Sequence, residues 1–235
     1  MNQSKIPTLL ALLLLLVGLA SAIFIFKQIQ VFTIGANPTV APQNIQVTNI
    51  KDTTFTVTWT TDSPTIGFVH YSNTNSAPTD LGIIHSVQIS NLKPATTYTF
   101  TLNSAGLTFD NSGSPWEVQT KSGVASSNLI ASGKILQANA MPAANALVFA
   151  KTSDGQVNSS ITSLAGNWVI PIPNITDSPI IEISVLSDAN QKATAKIAST
   201  SANPTPVITL GQTYDFTNTT ETVNMDTPKV SIDLP

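Results

Sequence analysis

His70 and His85 are the only imidazoles in 235 residues, so any acid–base or metal chemistry by histidine rests on them. A metal site needs such residues joined by carboxylates. The thirteen Asp and Glu are scattered, and none forms a ligand set with either histidine. Both therefore read as strand-surface or hydrogen-bonded side chains. No serine sits in a G-x-S-x-G elbow, and no G-x-x-x-x-G-K, H-E-x-x-H or D-x-[DN]-x-[DN]-G run occurs. A working pair of carboxylates stays open, because sequence spacing does not report separation in space. Cysteine is absent, which removes disulfides, thiolate metal sites, thiol nucleophiles and a lipid-modified N-terminal Cys. Every basic side chain is Lys. Without the Arg fork or a Lys cluster the chain is not expected to bind nucleic acid. No catalytic, cofactor-binding or metal-binding residue is assigned, and the expectation is a non-enzyme without a cofactor.

What remains is a scaffold. Charged residues make up 10% of the chain, against roughly 25% in an average soluble domain. Ser, Thr and Asn fill the surface instead, as is common in exported β-proteins. A hydrophobic content of 42% is enough to build packed cores, and a net charge of -3 offers nothing to a polyanion.

From Ile6 to Phe26 no charge occurs, and Lys5 and Lys27 bracket the run. At 1.5 Å per residue such a helix spans about 32 Å, close to the ~30 Å hydrocarbon core of a bilayer. Residues 1–5 then form a cytoplasmic N-terminus, 6–26 a transmembrane helix partnered by the lipid bilayer, and 27–40 a linker. Ala20-Ser21-Ala22 is also an A-x-A cleavage pattern, so a cleaved signal peptide is the rival reading. Cleavage there would leave Ile23-Phe24-Ile25-Phe26 exposed at a new terminus. The anchor is the expectation carried forward: single-pass in the cell membrane, N-terminus inside, the Ser/Thr-rich remainder on the extracytoplasmic face.

Over residues 41–122 short apolar/polar alternations follow one another. Phe55, Val57 and Trp59 alternate with threonines and predict a half-buried strand. Others are predicted around Ile45–Ile50, Ile66–Tyr71, Ile84–Ser90, Thr97–Asn103 and Trp116–Thr120, with turn signals such as Asp62-Ser63-Pro64 and Asn111-Ser112-Gly113 between them. Pro42-Gln43-Asn44-Ile45, Thr54 to Trp59 and Leu92-Lys93-Pro94-Ala95-Thr96-Thr97-Tyr98 resemble a fibronectin type III domain, an immunoglobulin-like sandwich. The resemblance implies a Trp in the second strand's core and a Tyr whose hydroxyl ties back to the preceding corner. His85 and this corner also resemble the sandwich that precedes purple acid phosphatase catalytic domains, whose metal-ligand motifs are missing here.

Past the small-residue linker at Ser122 to Asn128, residues 128–211 predict seven strands: Ile130–Leu136, Ala146–Lys151, Gln156–Thr162, Asn167–Ile172, Ile180–Leu186, Lys192–Ala198 and Val207–Leu210. Asp154-Gly155 signals a hairpin, and Pro171 and Pro173 signal an edge or a strand end. Ser132-Gly133-Lys134-Ile135, Pro142 with Ala146-Leu147-Val148, and Thr162 with Gly166-Asn167-Trp168 are similar to carboxypeptidase regulatory-like, transthyretin-like domains. The resemblance implies a rigid spacer or binding module. Some adhesin relatives crosslink a first-strand Lys to a last-strand Asn beside a buried carboxyl. Lys134 and Glu182 match two of the parts, and the last strand has no Asn.

The expected fold class is all-β, with two β-sandwich domains, fibronectin type III-like and then transthyretin-like, behind one transmembrane helix. A polar tail is expected over 212–235, without a sortase signal; sequons stand at Asn158, Asn174 and Asn218. The function expected is a membrane-anchored surface protein displaying two modules as spacers or binding domains for an envelope polymer, glycan or protein. The alternative is a non-catalytic anchoring component of an exported enzyme or envelope assembly.

Overall fold

The computed structural model describes residues 39–123, 127–173, 180–188 and 190–217. The predicted membrane segment at 6–26 lies outside them. Among the described residues no helix is long and apolar enough to cross a membrane.

In chain order the strands are β1 (Gln43–Thr48), β2 (Phe55–Thr65), β3 (Gly67–Tyr71), β4 (Thr74–Asn75), β5 (Gly82–Ile89), β6 (Thr97–Ser104), β7 (Leu107–Phe109) and β8 (Trp116–Gln119). There follow β9 (Ser127–Leu136), β10 (Leu147–Thr152), β11 (Val157–Ile161), β12 (Asn167–Pro173), β13 (Ile180–Leu186), β14 (Lys192–Ala198), β15 (Ile208–Thr209) and β16 (Thr213–Phe216). They form four sheets: β1-β2-β5; β4-β3-β6-β7 with β8 also on β6; β11-β10-β13-β14-β16; and β12-β9-β15. The fold is all-β, as the alternation predicts.

The described chain groups into two compact units. Unit one holds Trp59–Val87 and Thr99–Glu117 with the described residues up to Ile45; unit two holds Gln46–Thr58, Gln88–Tyr98 and the described chain from Val118. The division crosses β2, β5 and β6 and does not coincide with residues 122–128.

β2 is more buried than a half-buried strand. Phe55, Val57 and Trp59 are fully enclosed, and Thr56 and Thr58 are buried as well. The threonine face of β2 is thus closed to water as well as the apolar one. There the Thr58 hydroxyl donates to Gln46 O (3.4 Å) and Thr56 Oγ1 accepts from Asn49 Nδ2 (3.2 Å). In unit two the alternation is clean. Trp168, Ile170 and Ile172 of β12 point inward between the exposed Asn167, Val169 and Pro171. They join Ile181, Ile183 and Val185 of β13 and Ala193, Ala195 and Ile197 of β14 in one apolar core. Each buried isoleucine contributes roughly 1.5–3 kcal/mol relative to exposure. β12 is an outer strand of its sheet, where Pro171 and Pro173 leave no ladder bond unmade.

The turn into β12 depends on Gly166, at φ 76°. A Cβ there would stand 2.4 Å from Ile135 O, so both conformation and space exclude other residues. At the edge strand β11, Asn49 acts as a stand-in for a peptide group. Its Nδ2 donates to Ser159 O and its Oδ1 accepts from Ser159 N, both at 3.0 Å. Thr48 and Ser159 share a buried hydroxyl contact of 2.6 Å beside it. An edge closed in this way is a poorer template for stray strand pairing.

The expected polar tail opens with a strand. β16 pairs in parallel with β14, from Thr194↔Thr213 to Ile197↔Phe216. Tyr214 and Phe216 pack against the core, an alternation with Thr213 and Asp215 that outweighs the polar surroundings.

Candidate functional site

His85 is caged. It is 1% exposed and stacks on Trp59 with ring centres 4.9 Å apart and planes 12° off parallel. Nε2 lies 3.1 Å from Thr65 Oγ1 and 3.3 Å from Thr61 Oγ1, both on β2, and Nδ1 lies 3.0 Å from Thr79 Oγ1. Ser104 of β6 donates its hydroxyl to Thr65 Oγ1 (3.2 Å), and Gly67 N donates to Thr79 Oγ1 (3.1 Å). Burial lowers the pKa of His85 to about 4, since the desolvated ring resists charge. The imidazole is thus a neutral, sealed part of the core and has no open side to offer a substrate.

His70 is exposed on β3, with Nδ1 2.7 Å from Asn75 Oδ1 across the β3–β4 pair. The two histidines do different jobs, and no group of three His, Asp or Glu among the described residues is placed to hold a metal.

The corner before β6 carries the second sequence signal. Tyr98 accepts a hydrogen bond at its hydroxyl from Lys93 N (2.8 Å). Thr96 donates to Pro94 O (2.9 Å), and Thr120 donates to Lys93 O (2.7 Å). Ala95 sits at φ 49° to make the bend. A core tryptophan on the second strand and a tyrosine tied to its own corner are therefore both present. Residues 40–119 match the family model of the fibronectin type III domain.

That match covers the fibronectin type III stretch alone. No curated protein matches the chain. Among solved structures, the central fibronectin-III array of RIM-binding protein is 16% identical at a TM-score of 0.27, covering 62% of this chain and 58% of that one. Chicken CNTN1 FN1–FN3 domains are 13% identical at a TM-score of 0.25, covering 76% of this chain and 68% of that one. This chain therefore spans 58% of the length of the first.

In unit two the structure separates Lys134 from Glu182. Lys134 stands on β9 opposite Asn167, while Glu182 is exposed on β13 of the other sheet, between Lys151 and Lys196. The parts of an adhesin-type crosslink are not brought together. The sequon at Asn158 is closed to glycan, because its side chain is 2% exposed on β11; Asn174 and Asn218 lie outside the described residues. One feature on the outer face of this sheet has no local signal in the residue pattern. Lys151, Glu182, Lys196 and Asp215 line a hollow of about 570 Å³ together with Ser184 and Thr194. Their types are ordinary surface types, and only strand register brings them into line.

Proposed function

We propose that the chain is a membrane-tethered surface protein whose β-sandwich modules act as spacer and binding domains outside the cell. The observation that carries this is the fibronectin type III match at residues 40–119, its Trp59 core and Tyr98 corner intact, close behind the uncharged run at 6–26. Fibronectin type III domains generally bind proteins, so a protein partner is favoured over a glycan or an envelope polymer. The second half is read as a transthyretin-like module. Its support is the Gly133, Gly166 and Trp168 pattern and the two packed sheets around Trp168. His85 is sealed, and the crosslinking parts lie in different sheets, so binding through exposed faces accounts for the molecule better than turnover does.

Membrane fractionation with an alkaline wash, followed by protease treatment of intact cells, tests this. The chain is expected to stay in the membrane pellet with Met1 or Asn2 at its N-terminus and to lose its β modules to external protease. Recovery from the medium with Ile23 at the N-terminus would replace the tether with secretion. Full protection in cells whose outer layer is permeable to the protease would place the modules inside.

A further inference from the structure

The outer face of the five-stranded sheet carries four charges in one line. Strand register sets Lys151 of β10 opposite Glu182 of β13, Glu182 opposite Lys196 of β14, and Lys196 opposite Asp215 of β16. All four are exposed. Read across the sheet the signs run plus, minus, plus, minus, at steps of roughly 4.8 Å. No ion pair joins Lys151, Glu182 and Lys196 among the described residues. Asp215 is held locally by the Thr217 backbone N–H (3.0 Å) and hydroxyl (2.5 Å). Lys196 attracts Asp215 within the sheet, while among the described residues no side-chain hydrogen bond or ion pair engages Lys151 or Glu182 at the hollow. Beside them runs a second row, Ser184, Thr194 and Thr213, also in register, in which Thr194 donates to Thr213 Oγ1 (3.1 Å).

We propose that this face binds the same face of a second copy of the chain. Two-fold symmetry makes the row its own complement. Take a two-fold axis in the interface, parallel to the strands and midway between β13 and β14. It turns the row plus-minus-plus-minus into minus-plus-minus-plus. Each Lys151 then faces Asp215 of the second copy, and each Glu182 faces Lys196 of the second copy, so all four cross-contacts pair opposite charges. The same rotation sets Ser184 against Thr194. An isologous interface requires a surface that is its own complement, and an even-numbered alternating row meets that requirement. A nucleic acid would be repelled by half of the row. No exposed aromatic face is available to stack on a sugar, since Tyr214 is half-buried, stacked on Phe216 and bonded at its hydroxyl to Thr209 N. The hollow of about 570 Å³ provides room for the side chains of the second copy. Four strands span only about 14 Å, so the contact is small, weak and salt-sensitive. The inference goes beyond the surface-protein reading and does not need the tether: a chain recovered without a membrane would pair through the same face.

The test uses the full chain in detergent micelles. Because there is no native cysteine, the exposed Gln191 can be replaced (Gln191→Cys) and labelled with a donor or an acceptor dye. Donor and acceptor chains should show concentration-dependent energy transfer that falls as salt is raised. Lys196→Glu sets a carboxylate against Glu182 twice in the symmetric pair, and Glu182→Lys sets an ammonium against Lys196 twice; each alone should weaken pairing roughly tenfold or more. Mixed one to one, those two variants present complementary rows and should recover wild-type transfer. The double variant Glu182→Lys/Lys196→Glu should also recover it with itself. Thermal unfolding at the wild-type temperature establishes that each variant is folded. Wild-type chains that show no transfer at any concentration would overturn the proposal. So would single variants that pair like wild type, or folded single variants that fail to pair with each other.

Discussion

The two tryptophan cores are built on one device and filled differently. Trp59 lies over Gly67, and Trp168 lies over Gly133; a Cβ on either glycine would meet the indole at 2.8 Å and 3.1 Å respectively. In both, the indole Nε1 is buried without a hydrogen-bond partner among the described residues. Around Trp59 the neighbours include a histidine and the hydroxyls of Thr61, Thr65, Thr79 and Ser104. Around Trp168 the packed core is Ala, Ile, Val and Leu, with no acid or base in the cluster, and the buried Thr205 hydroxyl stands beside Gly133. The same aromatic anchor can thus sit in a core that holds a titratable ring or in a largely aliphatic one that holds none, and the two should fail under different stresses.

Removing the indoles should give the largest effect. Trp168→Ala is expected to cost about 3–5 kcal/mol, the upper part of that range, because the hole is lined mostly by aliphatic groups and offers water too few polar partners. Trp59→Ala should fall in the lower part, because water entering the hole finds polar partners in the cage. Denaturant unfolding of the full chain, with hydrogen exchange to localise the loss, reads both. Equal costs at the two sites would mean that the hydroxyls around His85 do not admit water.

Acid should single out the Trp59 core. The pKa of His85 is depressed in the fold, to about 4 from 6.5, so the folded state prefers the neutral ring. The stabilisation is complete above pH 6.5 and is lost as pH falls from 6.5 through 4. Two and a half pKa steps at 1.36 kcal/mol each amount to about 3 kcal/mol. The groups that touch the ring are three threonine hydroxyls and the Trp59 face, none of them charged. In unit two, Asp154 and Asp215 have pKa values lowered from 3.8, by the hydroxyls of Thr152 and Thr217 respectively; their contribution fades only below that range. Between pH 6.5 and 4, protection should therefore drop around Trp59 and hold around Trp168. His85→Gln should flatten the difference, and a slope that survives this substitution would assign the acid sensitivity to another group.

The glycines give a smaller and less symmetric effect. Gly67→Ala drives a methyl against Asn103 O at 2.7 Å and the Trp59 ring at 2.8 Å, a backbone and a stacked indole that cannot step aside, at about 1–3 kcal/mol. Gly133→Ala meets the Thr205 hydroxyl, a side-chain tip with no hydrogen bond among the described residues to lose by shifting, and meets the Trp168 indole only at 3.1 Å, with no backbone atom in the way. Thermal melts should rank Gly67→Ala as the more damaging, and the reverse order would mean that the Thr205 rotamer is fixed.

Much of this was legible from alternation alone. β13 and β14 occupy the predicted spans Ile180–Leu186 and Lys192–Ala198, and the corner motif placed the Tyr98 hydroxyl on its own corner. The elements that the pattern did not predict depend on information that is not local. β16 hides in a polar stretch because four residues are too few for period to outweigh composition, and β7 is shorter still. The His85 cage draws hydroxyls from 6 to 24 residues away, and no single-strand pattern reports such a meeting. The charge row needs three strand pairings to be known at once. Glycine types were visible, but that Gly67 and Gly133 each lie under a tryptophan is a fact of packing.

The least effect should come from two tyrosines that solve the same problem at different lengths. Tyr98 accepts from Lys93 N at 2.8 Å, and Tyr214 accepts from Thr209 N at 3.2 Å, each reaching a backbone N–H five residues upstream. Replacing either by Phe removes the acceptor and leaves the ring in place. The cost is that of one neutral hydrogen bond, about 0.5–1.5 kcal/mol, and more where the abandoned N–H is sealed from water. Lys93 is exposed while Thr209 is only part-buried, so both N–H groups can recover some hydration. Bond length then decides. The 2.8 Å contact is near the optimum for N–H···O and the 3.2 Å contact is at its long end, so Tyr98→Phe should cost more than Tyr214→Phe. If chemical denaturation finds Tyr214→Phe the costlier, its hydroxyl is fastening β16 to β15 through more than this one bond, and the strand the composition hid would be a principal fastening of unit two.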